Sequence, residues 1–255
     1  MNLLALDFPP ISHIVEWPGI VGPVNKIVIL MFVAVVATLV VFFMAGRRAA
    51  LVPTGVQNVA EASVDFVREG VILQTMGEEG LHKKWIMPFL LSLFWFILIG
   101  NLYEIIPGIQ MPMTARMAVP AFLALLVWVV FNGVGIANQG FGAYLKNSLF
   151  PPGVPTALYL LVTPIEAVST FVVRPFSLAV RLFANMLAGH ILLVTFAVLS
   201  TALFEGAIAL KFITPLPFVM LIMLTGFEVL VAFLQAYIFT ILAAVYIGGA
   251  MHPEH

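Results

Sequence analysis

Apolar runs of bilayer length, separated by short polar stretches, set the pattern of this chain. Residues 24–45 are apolar except at Asn25, Lys26 and Thr38. About 20 such residues suffice for a helix to cross a hydrocarbon core of roughly 30 Å. Arg47 and Arg48 follow at once. By the positive-inside bias they mark a cytoplasmic end, with the N-terminus outside. A second span is expected over 85–106, opening at Trp85 and closing at Asn101, Tyr103 and Glu104. Aromatics at both ends suit the two membrane interfaces. A third is expected over 118–136 and returns inward.

Two long runs follow. Residues 157–204 are apolar in character throughout, which is about 70 Å of helix at 1.5 Å per residue. Pro164 and Pro175 are positions at which this run would kink or divide. Residues 217–249 make a further helix of about 50 Å. Both exceed the hydrocarbon core, so they must tilt strongly. Between them lies a short outer connection around Glu205, Gly206 and Lys211. The expected fold is an all-α polytopic membrane protein forming one membrane domain. It has five membrane spans, the last two forming a long, steeply tilted helical hairpin.

The polar stretches carry less. Residues 56–75 mix Val59, Val64, Phe66, Val67, Val71 and Ile72 with Glu61, Asp65, Arg68 and Glu69. That is too polar to span, and it reads either as an amphipathic helix on the cytoplasmic surface or as an ordinary loop helix. Residues 77–84 read as a polar turn, and 140–156 as a cytoplasmic loop broken by prolines. Residues 1–22 form an outer N-terminal segment with no Lys or Arg. It lacks the basic n-region of a signal peptide, so the first span is expected to act as its own uncleaved signal. A bacterial cytoplasmic membrane is the expected location, with the C-terminus inside.

Composition agrees: 62% of the 255 residues are hydrophobic and 9% are charged. Soluble domains carry about 25% charged residues. Net charge is near zero, which implies no nucleic-acid surface. There is no cysteine. That removes disulfides, thiolate metal sites and cysteine nucleophiles. No metal motif or cofactor loop is visible, and no cofactor is expected.

The candidate chemistry lies in the hairpin. Arg181 stands inside the first long run. An arginine at membrane depth costs roughly 3 kcal/mol on insertion scales, and it cannot shed its proton. It marks an ion pathway or a counter-charge. The structural alternative is an arginine snorkelling to the interface, six residues from Pro175. Asn185, four residues on, shares its helix face; His190, nine on, faces the opposite way. On the second long run Glu228 and Gln235 share a face, and Tyr246 continues it. Counting from the turn suggests two layers. His190 lies with Glu228 nearer the outer side, and Arg181 with Asn185 and Gln235 nearer the middle. A buried glutamate beside a histidine suits a proton relay. For Asn185 and Gln235 the alternative is interhelical hydrogen bonding. On the inner side come Glu166, Ser169, Thr170 and Arg174. They either line an inner aqueous opening or form a charged helix start. Glu104 is either a solvated helix end or a carboxylate at the mouth of an outer vestibule. Two polar openings separated by a fixed cation make two half-channels with a barrier, and no deep carboxylate of this chain is suited to shuttle between them.

The stretch Phe176-Ser-Leu-Ala-Val-Arg181-Leu-Phe-Ala-Asn185-Met-Leu-Ala-Gly189-His190 resembles the signature of subunit a of the rotary F-type ATP synthases, bacterial type. The last helix, Glu228…Leu234-Gln-Ala-Tyr-Ile-Phe-Thr…Tyr246-Ile, resembles that family's as well. The resemblance implies a non-catalytic, proton-translocating stator subunit. Its partners would be the c-subunit ring, peripheral-stalk b-type subunits, the rest of the complex, lipid and protons. Arg181 matches the arginine that faces the ring carboxylate and blocks leakage. Asn185, His190, Glu228 and Gln235 match positions of the outward half-channel. Glu166 and Ser169 match inner positions, in a run up to Pro175 that is one residue longer than in other members. Ala184 stands where many members have glycine.

Other classes fit less well. A proton-coupled secondary transporter would need a substrate cavity and usually repeated halves, and no repeat is visible. An intramembrane hydrolase would need a nucleophile–base pair or a metal motif. A passive scaffold would not need Arg181.

Overall fold

The computed structural model describes residues 25–47, 50, 52–106, 109–150, 155, 158–206 and 208–251. The outer segment 1–22, Arg48 and most of the Pro-Pro-Gly-Val-Pro run lie outside the described residues. All regular structure among the described residues is helical. That is the form that satisfies every backbone group within one segment, as lipid demands.

Helix α1 is Lys26–Arg47. Helix α2, Val56–Val67, runs through a π turn, Arg68–Ile72, into α3, Leu73–His82. Helix α4 is Ile86–Leu102, α5 is Ala118–Gln139 and α6 is Phe141–Leu149. Helix α7, Tyr159–Val168, continues through a second π turn, Ser169–Val173, into α8, Arg174–Glu205. A short α9, Ile208–Lys211, leads into α10, Pro215–Met251.

Four of these stretches are long and apolar enough to cross a membrane: α1, α5, the 47 residues Tyr159–Glu205, and the 37 residues of α10. Helix α4 is as apolar but has 17 residues. The chain is thus a polytopic membrane protein. Six hydroxyls inside the spans are satisfied within their own helix. Thr38, Ser92, Thr195, Thr201, Thr225 and Thr240 each donate to the carbonyl four residues back.

Helix α10 packs against α8, α4 and α5, and α8 packs against α5 as well. Close approach is possible because α10 turns small residues inward: Ala232, Ala236, Ala243 and Ala244 are fully buried. Around them lie Phe131, Phe239, Leu178, Leu182, Ile97 and Ile247. The α2–α3 segment joins this core. The Phe66 ring lies 5.4–5.6 Å from those of Phe94, Phe233 and Tyr237. Val67, Val71 and Ile72 are buried, while Glu61, Asp65, Arg68 and Glu69 stay exposed. The pattern is two-sided, and its apolar face is covered by α4 and α10.

Three expectations are corrected. The polar turn over 77–84 is helical as far as His82, after a break at Gly77 with φ 64°. The loop over 140–156 contains α6. Gly140, at φ 81°, starts it, and the Tyr144 ring lies against Gly135, where a Cβ would overlap it. Its hydroxyl donates to Asn132 Oδ1 at 2.9 Å. Finally, neither Pro164 nor Pro175 divides the long run. Pro164 lies inside α7, and Pro175 falls in the first turn after the π turn. A π turn contains one residue more than an α turn and loosens the ladder where proline withholds its N–H.

Candidate proton-handling site in the α8–α10 hairpin

Arg181 lies on an exposed face of α8 and has no hydrogen-bond or ion-pair partner among the described residues. Ala184, Asn185, Ala188 and Leu192 continue that face. The alanines leave room for a neighbouring helix to come close to the guanidinium. Asn185 reaches sideways, and its Nδ2 donates to Oε1 of Gln235, 2.7 Å away. Gln235 is buried, so α10 holds the amide that α8 presents. We expect a double-mutant cycle of Asn185→Leu and Gln235→Leu, read by thermal unfolding in detergent, to give a coupling of about 1 kcal/mol. Additive effects would mean that the two amides act independently.

His190 points the other way, as nine residues from Arg181 require. It is buried, and its Nδ1 lies 3.2 Å from Oε1 of Glu104. This pair joins α8 to the end of α4. Glu104 follows Tyr103, which caps α4, and the chain then folds back over the cluster in the buried 3₁₀ turn Met113–Ala115. There Thr114 donates to Oδ1 of Asn101. Glu104 is thus a buried carboxylate 5% exposed, and the solvated helix end does not describe it.

Glu228 enters from α10 and is also buried. Its carboxyl occupies the space left by Gly189, where a Cβ would overlap both carboxylate oxygens. One of those oxygens, Oε2, has no hydrogen-bond partner, nor has Nδ2 of Asn101. Glu104 and His190 both lie within electrostatic reach of Glu228. The residues expected in one layer, His190 and Glu228, therefore share a cluster, but the hydrogen bond of His190 goes to Glu104. Sequence reasoning gave Glu104 only as one of two alternatives at an outer vestibule, without pairing it to His190, and did not weigh Gly189 at all. The available signals were an Asn101/Glu104 pair at the end of an apolar span and a glycine adjacent to a histidine in mid-helix.

The other end of the hairpin is more open. Glu166 on α7 and Ser169, the first residue of the π turn, are half-buried, and Thr170 is buried. The Arg174 guanidinium lies 5.6 Å from the centre of the Tyr246 ring, whose own ring packs 5.9 Å from Phe131. This cation–π contact fixes Tyr246 to α8. It does not bring Tyr246 to Gln235, eleven residues away on α10.

Chemically, the two sides of α8 differ. One side offers a permanent cation to whatever covers it. The other holds two carboxyls and an imidazole, side chains of the proton-exchanging type, buried together.

Comparison with known proteins gives a consistent picture. The family described as ATP synthase A chain matches residues 28–248. ATP synthase subunit a of Frankia alni is 45% identical over 91% of this chain and 79% of its own length. That of Rhodococcus erythropolis is 42% identical over 97% of this chain and 88% of its own. That of Maricaulis maris is 43% identical over 88% of this chain and 87% of its own.

Proposed function

This chain belongs to the ATP synthase subunit a family, the membrane sector of the F-type ATP synthase, and from that premise we propose that it is the stator through which protons reach and leave a rotating ring of c subunits. The observation that carries this reading is the division of α8: Arg181 on its exposed face, with no partner among the described residues, and the buried Glu104–His190–Glu228 cluster behind it.

In this reading the N-terminus lies outside and the C-terminus in the cytoplasm of the cell membrane, with five spans, α4 included. The α2–α3 segment lies at the cytoplasmic side, and b-type subunits of the peripheral stalk hold the chain fixed against the ring. A proton enters from outside by way of Glu104, His190 and Glu228. It passes to a ring carboxylate near Asn185 and Gln235. The neutral carboxyl tolerates lipid, so the ring turns. When it reaches the inner opening, the field of Arg181 favours its ionisation, because a nearby cation stabilises a carboxylate. The proton leaves past Ser169 and Glu166, with Tyr246 bordering that path. One charge crossing 100 mV yields about 2.3 kcal/mol, so several protons serve each ATP. The chain makes no ATP itself and supplies coupling only.

Proton hand-over by a positioned side chain is worth about 10²–10⁴-fold. Glu104→Gln combined with Glu228→Gln should therefore slow passive proton conduction through membranes stripped of the peripheral sector by at least about tenfold. Wild-type conduction in that double variant would remove both carboxyls from the path.

A further inference from the structure

A connection between two spans normally meets water and is polar. The one between α8 and α10 is not. Phe212 is 83% exposed, Ile208 77%, Leu216 67% and Phe204 63%. The charges there are Glu205 and Lys211, and the Lys211 ammonium rests 5.4 Å from the centre of the Phe204 ring. An apolar body with a cation at its edge suits the boundary between acyl chains and phosphate headgroups.

The backbone fits the same place. A helix start leaves four N–H groups without partners, which is costly away from water. At the start of α10 none of the first four residues has a free donor. Pro215 and Pro217 have no N–H at all. Leu216 N–H donates to the Ile213 carbonyl at 3.1 Å and Phe218 N–H to the Thr214 carbonyl at 3.3 Å. Just before them, the N–H groups of Ile213 and Thr214 donate to the Leu210 carbonyl at 3.0 and 3.3 Å. The Thr214 hydroxyl donates to the same oxygen.

We propose that this turn is a lipid-embedded tip, with Phe204, Ile208, Phe212 and Leu216 among the acyl chains and Lys211 at an anionic headgroup phosphate. The hairpin thus ends inside the leaflet rather than in the water beyond it. Naming that leaflet the outer one rests on the orientation proposed above; the embedding does not.

The test uses the assembled complex in phosphatidylcholine–phosphatidylglycerol vesicles containing a phospholipid with a diazirine in its acyl chain. After irradiation, mass spectrometry should find lipid adducts on this chain within 204–216. The chain has no cysteine, so Phe212→Cys gives it a single thiol. Because the thiolate is the reacting form, a membrane-impermeant maleimide, added to either side, should label it about tenfold more slowly than it labels the exposed position Glu61→Cys on α2. Equal labelling would place the tip in water and overturn the proposal. A tip that takes neither label is covered by a protein partner, which overturns it as well. Neither result depends on proton conduction, so failure here leaves the stator reading intact, and the reverse.

Discussion

Replacing Arg181 by alanine is expected to abolish ATP-driven proton pumping in membrane vesicles and to leave stripped membranes passively leaky. Each half follows from its place on α8. Arg181 is exposed, without a partner among the described residues, and so contributes no ion pair to this chain's own folding. An exposed side chain outside the packed core changes stability little when truncated, so assembly should survive. What is lost is the fixed positive charge. Without it, nothing lowers the affinity of a ring carboxyl for its proton at the inner opening, and nothing repels a proton moving straight between the two openings. Quenching of a pH-sensitive dye on ATP addition reads the first loss; decay of an imposed gradient reads the second. Pumping that survives would reduce Arg181 to an interfacial anchor and would end the two-half-channel account.

The second large effect is expected from the smallest change. Gly189→Ala adds one methyl where the Glu228 carboxyl already lies against the α8 backbone. Neither element yields easily, since Met186 and His190 on α8 and Ala232 on α10 are buried in the helix contact. The carboxyl must leave its niche. Moving it away from His190 and Glu104 breaks the cluster proposed above to hand protons on. We expect passive conduction to fall by at least about tenfold, with overpacking costing about 1–3 kcal/mol of stability. Adding Glu228→Asp, which retracts the carboxyl by one methylene, should restore part of the conduction. A Gly189→Ala chain that conducts normally, or a double variant worse than either single one, would show that the niche has no role.

Much of this arrangement was legible in the chain. Mean hydropathy and span length located the membrane helices, because lipid leaves the backbone few choices. Helical periodicity placed Arg181 and His190 on opposite faces, and counting from the turn put Asn185 level with Gln235. What could not be read were contacts between distant segments. Glu104 looked like a helix end because nothing local announces that His190, 86 residues on, meets its carboxyl. Helix α6 was hidden by the proline run beside it, and its anchor, the Tyr144 ring against Gly135, is a matter of shape. The niche at Gly189 is likewise invisible without α10, since hydropathy treats glycine as featureless.

The π turn at Ser169–Val173 has a meaning beyond easing the chain past Pro175. Each residue of an α-helix turns the axis by 100°, so a helix records orientation by counting. One surplus residue, taken up in a wide turn, re-phases everything before it against everything after. Glu166 stands eight residues from Arg174; discounting the surplus residue leaves seven, nearly two whole turns. Glu166, Arg174 and Arg181 thereby come into one line along the helix. The alignment of Glu166 with Arg181, and with it the proposed inner path, is thus stored in the length of the chain, not in the identity of any side chain. Deleting a single residue between Ser169 and Val173 would rotate that path out of register with no polar group removed.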